Sequence, residues 1–210
     1  MDKVGICNMA IGHLGISQFI SDFDTELSNE ARVCRIFYDQ ARDRVLEEMP
    51  WHFAKSYVAL QDIGSPPSKW LYRYRYPLNC VFVRSVTPQG LEPEISSYFD
   101  FATYKYLKRD QFEIIEDEAN GGLAICCNIP SAMICYTARI KSVALYTALF
   151  IDAFSWTLGS DIAAPLSAVP AMAEKCAQAY TQSLLKAAAR MMNEGNENLE
   201  RESEFISARY

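Results

Sequence analysis

Apolar residues recur at helical spacing near both ends of the chain and at strand spacing through its middle. Val4, Cys7, Ile11 and Leu14 fall three or four apart, which predicts a short helix over residues 2–14, with Gly15 placed to end it. A polar link at 21–25 follows, where Asp24 or Thr25 is positioned to cap the next helix by accepting its free N–H groups. That helix is expected to run to Met49. Leu27, Ala31, Cys34, Phe37 or Tyr38, Ala41, Val45 and Met49 make one apolar stripe, and Arg32, Arg35, Asp39, Arg42 and Asp43 lie off it. At a rise of ~1.5 Å per residue such a helix is about 35 Å long. Pro50 ends it, because the ring disfavours helical geometry at the residue before it.

The period then changes. Residues 53–63 predict a strand and 65–68 a Pro-rich turn. The run WLYRYRY at 70–76 alternates aromatics with arginines and enters Pro77, and 80–86 is rich in β-prone valine. Residues 90–93 break the pattern, and 95–109, aromatic but irregular, read as loop with short strands. Residues 111–116, 123–128 and 132–139 predict successive antiparallel strands, joined first by the acidic, glycine-containing turn 117–122 and then by Ile129, Pro130 and Ser131. Helical spacing returns at 143–158, where Leu145, Leu149, Ala153 and Trp156 share a side and Phe150 and Phe154 lie close by, so this helix should be deeply buried. An interruption at 159–165 leads to a last helix over 169–193, with Met172, Cys176, Ala179, Ser183, Leu184, Ala187 and Met191 inward. The fold class expected is α+β. About four helices from both chain ends (1–50 and 141–193) form an antiparallel bundle around an inserted antiparallel β domain at 51–140, with an extended tail at 194–210.

Composition narrows the function classes. A chain of 210 residues can bury a real core as one large domain or two joined ones. The formal charge is −6, and the tail from Glu194 holds five Glu against two Arg. That balance argues against a protein that wraps nucleic acid, since phosphate neutralisation needs clustered Lys and Arg. The most apolar run, 143–158, contains Asp152 and is too short for a membrane span, so no membrane partner is expected. The N-terminus lacks the basic and then apolar pattern of a signal peptide. Seven cysteines are scattered through apolar contexts without a C-x-x-C, which suits small buried side chains in a reducing cytoplasm better than disulfides or zinc.

Candidate chemistry is sparse. His13 reads as a capping or surface residue near a helix end, and His52 as a packing residue beside Trp51. Glu116, Asp117 and Glu118 read as a solvated hairpin turn rather than acid and base. Gly-x-Ser-x-Gly, Walker-type and dinucleotide-binding patterns are absent, so no catalytic residue, cofactor or metal ligand is assigned and the chain is not expected to be an enzyme. Arg73 and Arg75 in WLYRYRY could clamp phosphates between stacking rings. A strand with its aromatics on the core and its arginines outward explains the same pattern more simply. Phe205, Ile206 and Tyr210 are apolar anchors in an otherwise polar tail, a pattern expected of a segment that orders on a partner.

HLGIS closing the first helix, then EARVCRIFYDQARDRVLEEMPWHFA, then WLYRYRYPLNCVFVRSV resemble the tail tubular protein A family of short-tailed bacteriophages, the head-to-tail adaptors. The order of later features agrees, from the strand ICYTARI to the final Ala-rich helix, and the match is strongest over 31–86. The resemblance implies a helical bundle with a β domain. It also implies a twelvefold ring of identical subunits beneath the portal protein, which extends the DNA channel and carries the tail nozzle and fibres. The protein would be made in the host cytoplasm and reside in the neck of the virion. DNA would pass through the lumen without sequence-specific binding, and an acidic lumen would ease that passage. Arg32, Arg35, Arg42 and Arg44 would then be candidates to pair with a neighbouring subunit. The readings this displaces are a non-catalytic nucleic-acid-binding module and a small cytosolic enzyme.

Overall fold

The computed structural model describes residues 1–67, 69–89, 99–100, 105–106, 111–117, 121–166 and 169–194. Among these, helices α1 (Lys3–His13), α2 (Asn29–Glu48), α3 (Ala148–Ala163) and α4 (Pro170–Glu194) flank strands drawn from the middle of the chain. The strands are β1 (Lys55–Ala59), β2 (Tyr72–Arg75), β3 (Cys80–Pro88), β4 (Phe99–Asp100), β5 (Lys105–Tyr106), β6 (Phe112–Asp117), β7 (Gly122–Cys127) and β8 (Ala132–Ala138). Both α1 and α2, from the N-terminal end, pack on α3, which packs in turn on α4. This is the α+β architecture expected.

Local chemistry sets the ends of the helices. Asp2 caps α1 by accepting the Gly5 N–H at 2.8 Å, and Gly15 follows at φ 75°, left-handed geometry that costs glycine little. The cap of α2 is Ser28, whose Oγ accepts the Ala31 N–H at 3.2 Å, in place of Asp24 or Thr25. The backbone at those two residues is already committed, because Asp22 Oδ1 accepts both of their N–H groups. Glu26 holds the same loop. Its carboxylate is pushed down to about 2, chiefly by the Ser28 hydroxyl and then by Ser21. The later start leaves Leu27 outside the helix and 78% exposed, so it drops out of the expected stripe.

The third helix also starts late. Val143–Leu145 forms a 3-10 turn, and Thr147 caps α3 by accepting the Phe150 N–H at 3.3 Å. Leu145 is therefore exposed, and Tyr146 enters the core instead. The helix runs through Gly159 rather than stopping there. A Cβ at that position would meet the Ala10 carbonyl oxygen and Cys176 Sγ, both at 3.3 Å. The missing side chain lets α1 and α4 approach α3 closely.

The sheets have the orders β1-β8-β3, β2-β7-β6 and β4-β5, with every pair antiparallel. The expected hairpin between β7 and β8 does not form. The short turn after β7 carries the chain from one sheet to the other, with Ser131 at φ 49°. Tyr74 holds this crossing from below: its hydroxyl donates to the Ile129 carbonyl at 2.8 Å and accepts the Ala132 N–H at 3.4 Å. A 3-10 turn at His52–Ala54 precedes β1, so the first strand is shorter than expected.

Two apolar clusters result. In the helical one, Phe150 meets Trp51, Phe53 and Tyr146 with ring centroids 4.7–5.1 Å apart, and Tyr38 meets Phe154 at 4.9 Å. In the other, Tyr74 and Ile125 of one sheet pack with Val86, Ile134 and Tyr136 of the other. Arg84, fully buried, joins the sheet to the helical core by donating to Thr137 Oγ1 at 2.9 Å and to the Trp51 carbonyl at 3.0 Å.

Phe150→Ala should cost about 3–5 kcal/mol in urea unfolding, the range for emptying a buried aromatic site. Gly159→Val should also destabilise, by about 1–3 kcal/mol, because overpacking outweighs any gain in backbone rigidity at this close contact.

Candidate functional site

The arginines singled out by the sequence divide into two groups. Arg35 is committed to the loop before its helix, donating to the carbonyls of Phe23 at 2.7 Å and Glu26 at 2.9 Å. Arg42, expected off the apolar stripe, is only 3% exposed and pairs with Asp39 and Asp43, each at 2.7 Å. A buried guanidinium needs such partners, and one turn of helix supplies both. Arg44 reaches Asp161 of α3 at 3.0 Å. Arg73 reaches Asp117 at 2.7 Å, across the width of the β2-β7-β6 sheet. These four serve the chain's own packing. Arg32 and Arg75 are exposed and ion-pair with no described residue. Phe205, Ile206 and Tyr210 lie outside the described residues.

The β2 strand has the two faces expected. Tyr74 is buried, and Tyr72 and Tyr76 are half-buried against the second core, while Arg73 and Arg75 occupy the opposite face. Asp117 departs from the reading of an acidic turn: it ends β6, buried, and holds Arg73. Glu116 is exposed, and Glu118 lies outside the described residues.

A polar cluster unseen in the sequence lies where α1, α3 and α4 meet. His13 stacks on Trp156 with ring centroids 3.4 Å apart and planes 9° from parallel. Its Nε2 is 3.0 Å from Ser155 Oγ. Asp152 accepts from the Trp156 indole N–H at 3.2 Å and from the Ser183 hydroxyl. Serine, histidine and aspartate so grouped suggest acyl transfer, but the proton directions oppose it. Ser155 is fully buried, and its hydroxyl donates to the Asp152 main-chain carbonyl at 2.9 Å. It therefore accepts from His13, whose Nε2 carries the proton and cannot act as its base. The Asp152 carboxylate is engaged by Trp156 and Ser183 rather than by the imidazole. The cluster is a clamp between helices, and residue spacings of 142 positions give no local signal of it.

The remaining chemistry points the same way. The cysteines are free and buried, and among the described residues no group of three metal-ligating side chains gathers. No described helix is long and apolar enough to cross a membrane. Large apolar side chains do face solvent, among them Ile36 on α2, 70% exposed, and Leu78 in the turn between β2 and β3, 97% exposed. A cleft of about 300 Å³ opens between the sheets beside Asp62, Tyr72 and Tyr74. No protein-family model and no curated protein matches the chain.

Burial lowers the His13 pKa from 6.5, against the opposing pull of Asp152. A base whose folded pKa is depressed gives its full stability above the unfolded value and loses it as pH falls below that value toward the folded one. Melting temperature should therefore drop between pH 7 and 5, and His13→Gln should flatten part of that drop.

Proposed function

We propose that the chain is a non-catalytic assembly subunit, a head-to-tail adaptor of a short-tailed bacteriophage. It would form a ring, twelvefold by the resemblance, that joins the portal protein to the tail nozzle and fibres and continues the DNA channel. Its place would be the neck of the virion, after synthesis in the host cytoplasm. The observation that carries the reading is the outer face of α2. This helix buries one side completely in its own core, yet it presents exposed Ile36 one turn beyond exposed Arg32, which ion-pairs with no described residue. A face with an exposed apolar residue and an exposed charge suits a heterologous contact that closes by rotation. The bundle behind it is cross-tied by buried aromatics, which suits a rigid wall. The motifs shared with the adaptor family support the same role.

The nucleic-acid reading gains little support from the strand that suggested it, since Arg73 is held by Asp117. An enzyme reading has no candidate in the His13 cluster.

Arg32→Glu combined with Ile36→Asp should leave the melting temperature within a few degrees of the parent, because both residues are exposed. The same variant should fail to cosediment with the cognate portal in a sucrose gradient. Cosedimentation equal to that of the parent would remove this face from the assembly.

A further inference from the structure

The first sheet has an open edge at β1, which pairs with β8 on one side and with no described strand on the other. The Leu60 N–H donates to the Ala132 carbonyl at 2.8 Å, and the register from Lys55↔Thr137 to Ala59↔Met133 continues from that pair. Antiparallel ladders alternate bonded and non-bonded pairs. Ser56 and Val58 therefore bond to β8, while the N–H and C=O groups of Tyr57 and Ala59 point outward. Val58 and Ala59 are exposed, and no described strand pairs with this edge.

Past Ala59 the same backbone changes sheets. The Gln61 carbonyl accepts the Arg75 N–H at 2.9 Å, and the Ile63 N–H donates to the Arg73 carbonyl at 2.9 Å, so it now runs beside β2. The 300 Å³ cleft opens at this change, walled by Ala59, Leu60, Asp62, Tyr72, Tyr74 and Ser131. The rings of Tyr72 and Tyr74 stack 6.1 Å apart, with planes 22° from parallel. Asp62 is exposed, and one carboxylate oxygen accepts the Gly64 N–H at 2.8 Å, leaving the other oxygen for a ligand. No Lys or Arg is among the described residues of the cleft. An open edge thus leads directly into an anionic, aromatic pocket.

We infer that β1 binds an extended peptide segment as an added strand, with an Arg or Lys of that segment seated in the cleft. Main-chain bonds to Tyr57 and Ala59 supply affinity that does not depend on sequence. The pocket supplies the selection, pairing the cation with Asp62 against the Tyr72 face. The site stands apart from the α2 face and does not depend on the adaptor reading.

A phage-displayed random peptide library, panned on the full chain, tests this. Recovered sequences should be β-prone with Lys or Arg at one fixed position. A synthetic peptide from that set should bind Asp62→Asn about tenfold more weakly, as loss of one charge-assisted contact implies. Asparagine keeps the acceptor for Gly64, so the loop is preserved. Ala59→Pro, which removes an outward N–H at an edge position that tolerates proline, should abolish binding. In the unaltered protein the bound peptide should slow amide exchange at Tyr57 and Ala59, a readout that needs no variant. Failure to recover binders, binders with no basic position, or binding that leaves those amides and Asp62→Asn unaffected overturns the inference.

Discussion

Trp51 is the point where the helices and the sheets become one structure. Its indole N–H donates to the Val45 carbonyl at 2.7 Å, in the last turn of α2, where the backbone carbonyls run out of helical donors. Its ring meets Phe150 edge-on at 5.1 Å, and its own carbonyl accepts from the buried Arg84 of β3. Burying a guanidinium is costly unless acceptors are waiting for it. Thr137 on β8 and Trp51 at the helix end supply two of them, so the sheet cannot rotate against the bundle without stranding a charge. Orientation is thereby set by a few directional bonds, while the apolar contacts around them supply most of the stabilisation.

The same economy recurs through the bundle. Tyr38, Phe150 and Phe154 link α2 to α3 through ring contacts, and the His13 clamp ties α1 and α4 to α3 through Asp152 and Ser155. Gly159 allows the close approach that the clamp requires. A body braced this way presents its outer faces at fixed positions, which is what assembly by repeated rigid contacts needs. Ile36, Arg32 and the open edge of β1 are then surfaces on a stiff frame rather than loose segments.

Much of this was legible in the sequence. Helical spacing located the four helices, because one-sided apolar patterns report burial directly. Alternation in WLYRYRY assigned the faces of β2. The misses have local causes. Leu27 and Leu145 fit the helical period but fall before the true caps, Ser28 and Thr147, where polar backbone contacts outweigh apolar pattern. Arg42 looked solvated because it stands with Asp39 and Asp43 off the apolar stripe, and the spacing does not record that its guanidinium is buried while paired with both. The Arg73–Asp117 pair, the His13 clamp and the crossing from β7 to β8 depend on residues brought together from distant positions, and no period records them. Arg84 did leave a trace, as a lone charge inside the apolar run VFVRSV.

The central claim is that this chain works by assembly and carries no chemistry of its own. Electron microscopy of the purified protein mixed with its cognate portal tests it most directly. The account predicts rings of this protein capping one end of the portal. Portal particles left bare, with this protein remaining monomeric beside them, would contradict it.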